Sequence, residues 1–192
     1  MGNLCEKLIG GAITADCENP IYSGVAGEAI ILNYSQIQSI TYDENNGNII
    51  TGITMKPSTK GYIVQQLGNQ PFDGTQTEMA DGTYAKKFNN TVNFAVLDNG
   101  PDICRDVVDN LANGKFVVIM QNDYKHANSD NKYQIFGAAK GLKATSIVRE
   151  VWGDNESAWV CSFTEEGAPK SGVFFFNEDE ATTDEAFNAL LS

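Results

Sequence analysis

Residues 99–120 read NGPDICRDVVDNLANGKFVVIM, and the first part of this stretch predicts a helix. Pro101 suits the first helical position, where its missing amide hydrogen costs nothing, and Asp102 places a carboxylate beside the positive end of the helix dipole. Gly114 ends the pattern, because glycine adopts the left-handed cap conformation at little cost. We expect one α-helix over about residues 101–112. Its core-facing residues, at four-residue spacing, are Ile103, Val107 and Leu111. The substitution Ile103→Asp should then prevent folding, because it would bury a charge without a partner.

The second part of the stretch predicts a strand that is buried on both faces. Residues 116–120 form a continuous apolar run of the length expected for a core strand. Elsewhere the hydropathy period is close to two. In residues 84–96 the even positions are mostly apolar and the odd positions polar, so one face should be buried and the other wet or paired with a neighbouring subunit. Besides the helix face, the predicted core residues are Phe94, Phe116 and Val118.

The whole pattern predicts a mainly β protein, an antiparallel β-sandwich or barrel with one packed helix. Further strands are expected at residues 29–34, 37–42, 49–55, 62–67, 133–138, 142–152, 157–163 and 173–176. The Asn-Gly pair at positions 46 and 47 indicates a hairpin between the second and third of these strands. Thr182 and Glu185 fit a capping box, which predicts a short C-terminal helix.

Length and local composition indicate one domain, residues 1–192, with three distinctive segments. Residues 1–28 consist of short apolar pieces broken by glycine and proline, which indicates an N-terminal arm. Residues 56–82 are expected to form a long loop or an arm that reaches a neighbouring subunit, because residues 68–82 are rich in Gly, Asn, Gln, Asp and Thr. Residues 177–192 are expected to be a C-terminal extension that engages neighbours.

The formal net charge is −12, which disfavours binding to nucleic acid or to an anionic membrane surface. No apolar run approaches the roughly 18 residues of a membrane span, and the first residues lack the basic-then-apolar layout of a secretory signal. We therefore expect a protein made in the cytoplasm. The cysteines include no Cys-x-x-Cys pair, so reduced thiols are expected rather than a zinc site or disulfide bridges. They are Cys5, Cys17, Cys104 and Cys161.

No motif in the chain predicts catalysis. The single histidine, His126, lies in a polar loop and is expected to be solvated rather than to act as a general base. Residues 167–171 resemble a phosphate-binding loop, but Pro169 occupies the place of the required glycine. A calcium-loop pattern that starts at Asp43 lacks the required glycine and glutamate at its sixth and twelfth positions. We therefore expect no enzymatic activity, no cofactor and no metal.

Two other features leave a different class of function open. Trp152 and Trp159 could stack on a sugar, although their place in alternating apolar strands favours packing in the core. Among the 25 acidic residues, two carboxylates at a suitable separation could cleave a glycosidic bond. The acidic residues 178–180 are expected to be solvated or matched to a helix dipole. A carbohydrate-binding or sugar-cleaving β-sandwich of a phage or cell surface is therefore an alternative hypothesis.

The N-terminal third carries a recognisable arrangement of residues. It comprises Cys5, Leu8, Gly10 or Gly11, Ile13, Asp16, Cys17, Gly24, Ile37 and the segments 30–34, 40–43 and 50–53, which read IILNY, ITYD and ITGI. This arrangement resembles the tail-tube-like structural proteins of tailed bacteriophages that infect gut bacteria, including ring proteins of crAss-like phages. The likeness extends more loosely through residues 87–96, the predicted helix and residues 133–137.

The resemblance implies a virion structural protein that forms a ring, with rings stacking into a tail tube or tail barrel around the DNA passage. It implies a homo-oligomer of the virion tail, assembled in the host cytoplasm, that contacts neighbouring tail or portal-side proteins and no membrane. DNA would pass through the lumen without specific binding, and an acidic lumen would not hold its phosphates. A head-to-tail connector or stopper protein is a further alternative.

Overall fold

A computed structural model describes residues 9–14, 20–83, 85–153 and 156–192 of the chain. In these residues, a seven-stranded sheet (the large sheet) and a four-stranded sheet (the small sheet) pack into a sandwich. This confirms the predicted mainly β fold with a packed helix. The strands are β1 (Val25–Asn33), β2 (Ile37–Tyr42), β3 (Ile49–Met55), β4 (Tyr62–Gln65), β5 (Gln76–Asp81), β6 (Lys86–Val96), β7 (Phe116–Asn122), β8 (Tyr133–Phe136), β9 (Lys143–Arg149), β10 (Trp159–Ala168) and β11 (Val173–Phe175).

The two sheets interleave strands from distant parts of the chain. The order is β2-β3-β11-β8-β7-β1-β4 in the large sheet and β5-β6-β10-β9 in the small sheet. The expected hairpin is present, since β2 pairs antiparallel with β3. The described neighbours are antiparallel except β3 and β11, which run parallel. Because β11 comes from the C-terminal part of the chain and pairs with β3 from the N-terminal part, the large sheet contains strands from both parts.

Strand β7 is the buried centre of the molecule, because both of its faces are covered. Val118 and Met120 face the small sheet and belong to the cluster between the sheets, here called the sandwich core. Val117 and Ile119 belong to a second cluster on the opposite face of the large sheet, here called the outer core. Burying an apolar side chain of this size stabilises the fold by roughly 1.5–3 kcal/mol. The continuous apolar run in the sequence therefore corresponds to a strand with two packed faces.

The helix at residues 101–113, here called the central helix, is less regular than its spacing predicts. It consists of α1 (Pro101–Ile103), a π-helical turn (Cys104–Val108) and α2 (Asp109–Asn113). In the π-helical turn the amide of Asp109 donates to the Cys104 carbonyl, five residues back rather than four. The additional residue brings Val108 to the buried side together with Leu111. Ile103 is only partly buried, and neither core cluster includes it.

Gly114 follows the central helix for a different reason from the one expected. Its φ is −83°, so it does not adopt the left-handed cap conformation. A Cβ at this position would instead overlap the ring of Phe116, which is buried in the sandwich core. Glycine is therefore needed here for close packing rather than for backbone freedom.

The C-terminal helix, α3 (Glu180–Ala189), covers the outer core. Its N-cap is Asp179, whose carboxylate accepts a hydrogen bond from the Thr182 amide at 2.8 Å, so the capping box placed at Thr182 and Glu185 was wrong. Phe187 stacks on the Tyr133 ring at 4.3 Å between centroids. Within the chain, the predicted C-terminal extension thus packs against its own large sheet.

The segment predicted as a long loop or an arm that reaches a neighbouring subunit, residues 56–82, is partly loop and partly strand. It contributes β4 and β5, which are edge strands of the large and small sheets. Between them, Phe72 is buried in the sandwich core and adopts a left-handed backbone conformation with φ 57°. The segment is therefore held to its own chain at three places, and the prediction that it reaches a neighbouring subunit stays a prediction.

Strand β6 also differs from its expected role. Its even positions Val92 and Phe94 are buried, in agreement with the alternation. It lies between β5 and β10, however, so both of its edges are already hydrogen-bonded. Beyond the end of the β5 pairing, the amides of Asn93 and Ala95 donate to the side chains of Thr75 and Gln66, so the chain itself occupies this edge.

The predicted N-terminal arm falls partly outside the described residues, as do Cys5, Cys17 and Tyr84. In its described parts, residues 9–14 and 20–24 contain neither helix nor strand, whereas β1 begins at Val25, inside the predicted arm. Ile9 and Ile13 are almost fully exposed.

Candidate functional site

An open groove of about 550 Å³ lies on the large sheet. Its floor contains Ile49, Phe174 and Gln134, which are direct partners across β3, β11 and β8. Gln134 is in turn opposite Met120, a residue of the sandwich core. The groove therefore continues the inner face of the large sheet, which has three strands more than the small sheet that covers it.

Aromatic side chains form one wall of the groove. Tyr22, just before β1, and Tyr124, just after β7, meet edge to face at 5.4 Å between ring centroids. Tyr124 meets the His126 ring in the same manner at 5.7 Å. The hydroxyl of Tyr22 donates to the Asp123 carbonyl at 3.0 Å, which ties the segment before β1 to the loop after β7. These rings present apolar surface to the groove while their polar ends remain hydrated or bonded.

His126 forms an ion-pair or hydrogen-bond contact with Asp130, with 2.8 Å between Nδ1 and Oδ1. Asn131 shapes this loop by accepting the His126 amide at 2.7 Å and donating to the Tyr124 carbonyl at 3.4 Å. An imidazole oriented by a carboxylate resembles part of a hydrolytic triad, but a triad also needs a nucleophile bonded to the other ring nitrogen. In the part of the chain that the structure describes, Nε2 of His126 has no such hydrogen bond. The described contacts of the pair order the groove wall.

A charged cluster beside the groove fastens α3 to the loop after β7. The Lys132 ammonium contacts Glu180 at 2.9 Å and Asp184 at 2.7 Å, and Lys125 contacts Glu180 at 2.8 Å. Ser129 donates to Glu180 at 2.7 Å. The acidic residues at the start of α3 are therefore partly paired with lysines, beyond the solvation or dipole matching expected for them.

The pKa shifts in this cluster follow from its hydrogen bonds. The hydrogen bonds that Lys125, Lys132 and Ser129 donate to Glu180 lower the pKa of its carboxyl to about 2. Burial disfavours the charged form of Lys132, but its bonds to Asp184 and Glu180 outweigh this and raise its pKa above the usual value. Burial, together with the hydrogen bond to Asp184, raises the pKa of Tyr133 to about 12. The shifts of Glu180 and Lys132 favour their charged, paired forms at neutral pH, whereas Tyr133 stays neutral.

A second polar constellation is buried between the sheets. The Glu165 carboxylate accepts the Ala139 and Lys140 amides at 3.0 and 2.6 Å and the Asn90 side-chain amide at 2.9 Å. These donors satisfy both carboxylate oxygens, which offsets the cost of burying the group. The constellation fixes the turn between β8 and β9 and explains why polar Asn90 occupies a buried position in β6.

The two tryptophans differ in their exposure to solvent. Trp152 is 95% exposed in the hairpin between β9 and β10, so its expected packing in the core was wrong. Trp159 is partly buried and packs against the sandwich core, with the Arg149 guanidinium 5.8 Å from its ring centroid. Trp152 therefore lies in a hairpin outside the strands, and Trp159 lies at the edge of the sandwich core. Among the described residues, no group of three or more His, Cys, Asp and Glu side chains is placed to hold a metal ion.

The predicted core residues are not brought to the groove. Phe94, Phe116, Val118 and Leu111 are buried in the sandwich core, and Val107 packs against it. Sequence reasoning missed the groove because its residues come from five separate segments of the chain. The only local signal was the concentration of Tyr, His and Asn in residues 121–131.

No helix in the described ranges combines the length and the apolar character needed to cross a membrane. A scan against models of known protein families and searches of curated proteins and of solved structures find nothing that matches this chain.

Proposed function

We propose that this protein is a non-enzymatic virion structural subunit that forms a ring of a phage tail tube or tail barrel around the DNA passage. The observation that carries the proposal is the chemistry of the two large-sheet edges. Both edge strands, β2 and β4, contain no charged residue. In β4, Tyr62 and Ile63 are 55% and 52% exposed although they point to opposite faces.

The small sheet provides the contrast. Its edge strand β5 carries Glu78 and Asp81, and its other edge strand β9 carries Lys143 and Arg149. Charged residues on an edge are a common protection against pairing with another chain. The protein thus protects the edges of one sheet and leaves those of the other suited to pairing.

The directions of the strands are compatible with ring closure. Following the pairings across the large sheet, β2 and β4 run in opposite directions. In copies of the same orientation, β4 of one copy and β2 of the next would therefore pair antiparallel, with the copies offset along the strands, because only Gln65 and Tyr42 of these two strands share a row of the sheet. Such a heterologous contact repeats from copy to copy and closes into a ring when the rotation per copy permits.

The acidic composition supports a role around DNA that does not bind it. With a net charge of −12, the protein repels phosphates over about a Debye length, roughly 8 Å at physiological salt. An acidic lumen would repel the DNA phosphates and let the DNA slide through the ring.

The assembled ring would belong to the virion tail, with neighbouring tail or portal-side proteins above and below it. A head-to-tail connector would use the same edges and differ in copy number and position in the particle.

The test is the oligomeric state of purified protein, measured by light scattering after size exclusion and by negative-stain electron microscopy. We expect rings or ring fragments from the wild type and monomers from Ile63→Lys. The matched control is Val148→Lys, which adds the same charge at an exposed position of β9. A wild type that stays monomeric, in solution and in images of particles, overturns the proposal. Assembly of Ile63→Lys at wild-type concentrations overturns its basis in the large-sheet edges.

A further inference from the structure

We propose that the groove on the large sheet binds a short neutral saccharide. A sugar ring has an apolar face of C–H groups and a rim of hydroxyls. A site for it therefore needs open aromatic or aliphatic surface together with several polar groups that have bonding capacity left. The groove has both, and its described lining includes neither Trp152 nor Trp159. This inference goes beyond the proposed ring and does not depend on it.

One part of the groove surface is apolar. Phe174 and Ile49 are partners on the floor and are only partly buried. At the wall, Tyr22 is 55% exposed and meets the partly buried Tyr124 edge to face. The face of an aromatic ring carries negative charge density, which attracts the weakly positive C–H groups of a sugar. The floor and the tyrosines therefore offer a surface on which a sugar ring can pack.

Three side-chain amides of the groove keep hydrogen-bonding capacity. The nitrogen of the Asn48 side chain donates to the Gly172 carbonyl at 2.7 Å and that of Asn122 to the Asn131 carbonyl at 2.8 Å, which leaves both side-chain oxygens to accept. The side chain of Gln134, on the floor, forms no hydrogen bond to any residue that the structure describes, so it can both donate and accept. A sugar hydroxyl also donates and accepts, so these amides match neighbouring hydroxyls of one ring.

Asp130 and His126 add two further acceptors. Asp130 uses Oδ1 for its 2.8 Å contact with Nδ1 of His126, and its Oδ2 remains. When Nδ1 carries the proton, Nε2 of the neutral imidazole is an acceptor. A hydroxyl bonds more strongly to a carboxylate than to a neutral oxygen. Cleavage of a glycosidic bond takes two carboxylates, whereas Asp130 is the single acidic residue of the described lining, so the proposal is one of binding.

The charges of the groove favour a neutral ligand. Its described lining contains no lysine and no arginine. The carboxylate of Asp130 and the net charge of −12 repel phosphate, sulfate and carboxylate groups. A nucleotide or a sialylated or sulfated glycan is therefore disfavoured, whereas a neutral sugar meets no such repulsion.

The walls of the groove are fixed by the chain's own hydrogen bonds. Asn131 accepts the His126 amide at 2.7 Å and donates to the Tyr124 carbonyl at 3.4 Å, and the Tyr22 hydroxyl donates to the Asp123 carbonyl at 3.0 Å. A site whose side chains are already ordered loses less conformational entropy on binding. The volume of about 550 Å³ lies within the range of roughly 300–1,000 Å³ found for small-ligand sites, which suits a short oligosaccharide.

The experiment screens the full chain on an array of neutral glycans and measures binding of maltotriose, cellotriose and N,N′-diacetylchitobiose by saturation-transfer NMR and calorimetry. We expect at least one neutral glycan to bind. Tyr124→Ala removes a wall ring and Gln134→Leu removes an amide at nearly constant volume, so each should weaken that binding at least about tenfold. Trp152→Ala is the matched control, because it removes an exposed aromatic ring outside the groove and should leave the affinity unchanged.

Circular dichroism should show that the three variants fold, and if Tyr124→Ala does not, Gln134→Leu decides alone. No binding on the array or in solution overturns the proposal, as does binding of sialylated or sulfated glycans only. Binding that persists in the groove variants, or that is lost in Trp152→Ala, places the sugar elsewhere and overturns it too. A wild type that binds a neutral glycan but stays monomeric keeps this inference and overturns the ring, whereas rings without glycan binding do the reverse.

Discussion

Strands β7 and β4 lie on either side of β1 in the same sheet, yet they have opposite surroundings. All five residues from Phe116 to Met120 in β7 are buried, whereas Tyr62 and Ile63 in β4 are more than half exposed. Both strands are rich in apolar residues. Hydropathy therefore does not by itself decide whether a strand of this protein is core or surface.

The difference arises from what covers each strand. The small sheet packs on one face of β7 and α3 on the other, so no face is left to solvent. At the edge, β4 has one paired side and one open side. An exposed apolar edge is a liability in a monomer, and it becomes useful when another copy covers it.

The largest expected effect tests this comparison directly. Ile119→Ala, at a position of β7 with 0% exposure, should lower the free energy of unfolding by about 2–5 kcal/mol through lost burial and a residual cavity. Ile63→Ala in β4 removes the same atoms from a half-exposed position and should cost less than about 1 kcal/mol in the monomer. Urea unfolding followed by tryptophan fluorescence measures both. Equal losses would show that β4 is as well packed as β7.

A smaller effect distinguishes two residues of the central helix. Leu111→Ala should destabilise the protein by about 2–4 kcal/mol, because Leu111 is buried in the sandwich core. Ile103→Ala should cost about 1 kcal/mol, since Ile103 is only partly buried and the π-helical turn places Val108 on the core side. Chemical denaturation of the two variants gives the ranking. The opposite order would mean that a regular α-helix, with Ile103 on its packed face, describes the protein better.

The smallest effect concerns the attachment of α3 over β7. The pKa of Glu180 is lowered from 4.5 to about 2 by Lys125, Lys132 and Ser129, so the unfolded chain binds the proton more readily. The stabilisation from this carboxylate is therefore present above about pH 4.5 and is lost as the pH falls toward 2. Glu180→Gln should have a lower urea midpoint than the wild type at neutral pH, and the gap should close over that range. A gap that stays constant with pH would show that the cluster does not hold α3 by charge.

Local patterns in the sequence predicted much of the secondary structure. The strands at 37–42 and 49–55 and the hairpin between them follow from alternation and an Asn-Gly turn, which are properties of neighbouring residues. Errors also occurred where the deciding contact was close in the sequence but could not be read from the residue types alone. Gly114 is required by the Phe116 ring, Asp179 rather than Thr182 caps α3, and β5 is held as a strand by pairing with β6.

The candidate site was beyond the reach of such patterns. Tyr22, Ile49, Tyr124 and Phe174 come from segments far apart in the chain and form one groove only after β3 and β11 pair in parallel. Trp152 looked like a core residue because its segment is apolar, but the strand β9 ends at Arg149, before reaching it.

The amino-acid order is sufficient for the mainly β character, the central helix and the doubly buried strand β7, because periodicity and turn chemistry act over a few residues. The arrangement in space decides which strands become edges and which faces α3 and the small sheet cover. It also decides that the hairpin between β9 and β10 exposes a tryptophan and that the large sheet carries an open groove. These depend on pairings between residues separated by tens of positions, and no local pattern encodes which partners meet.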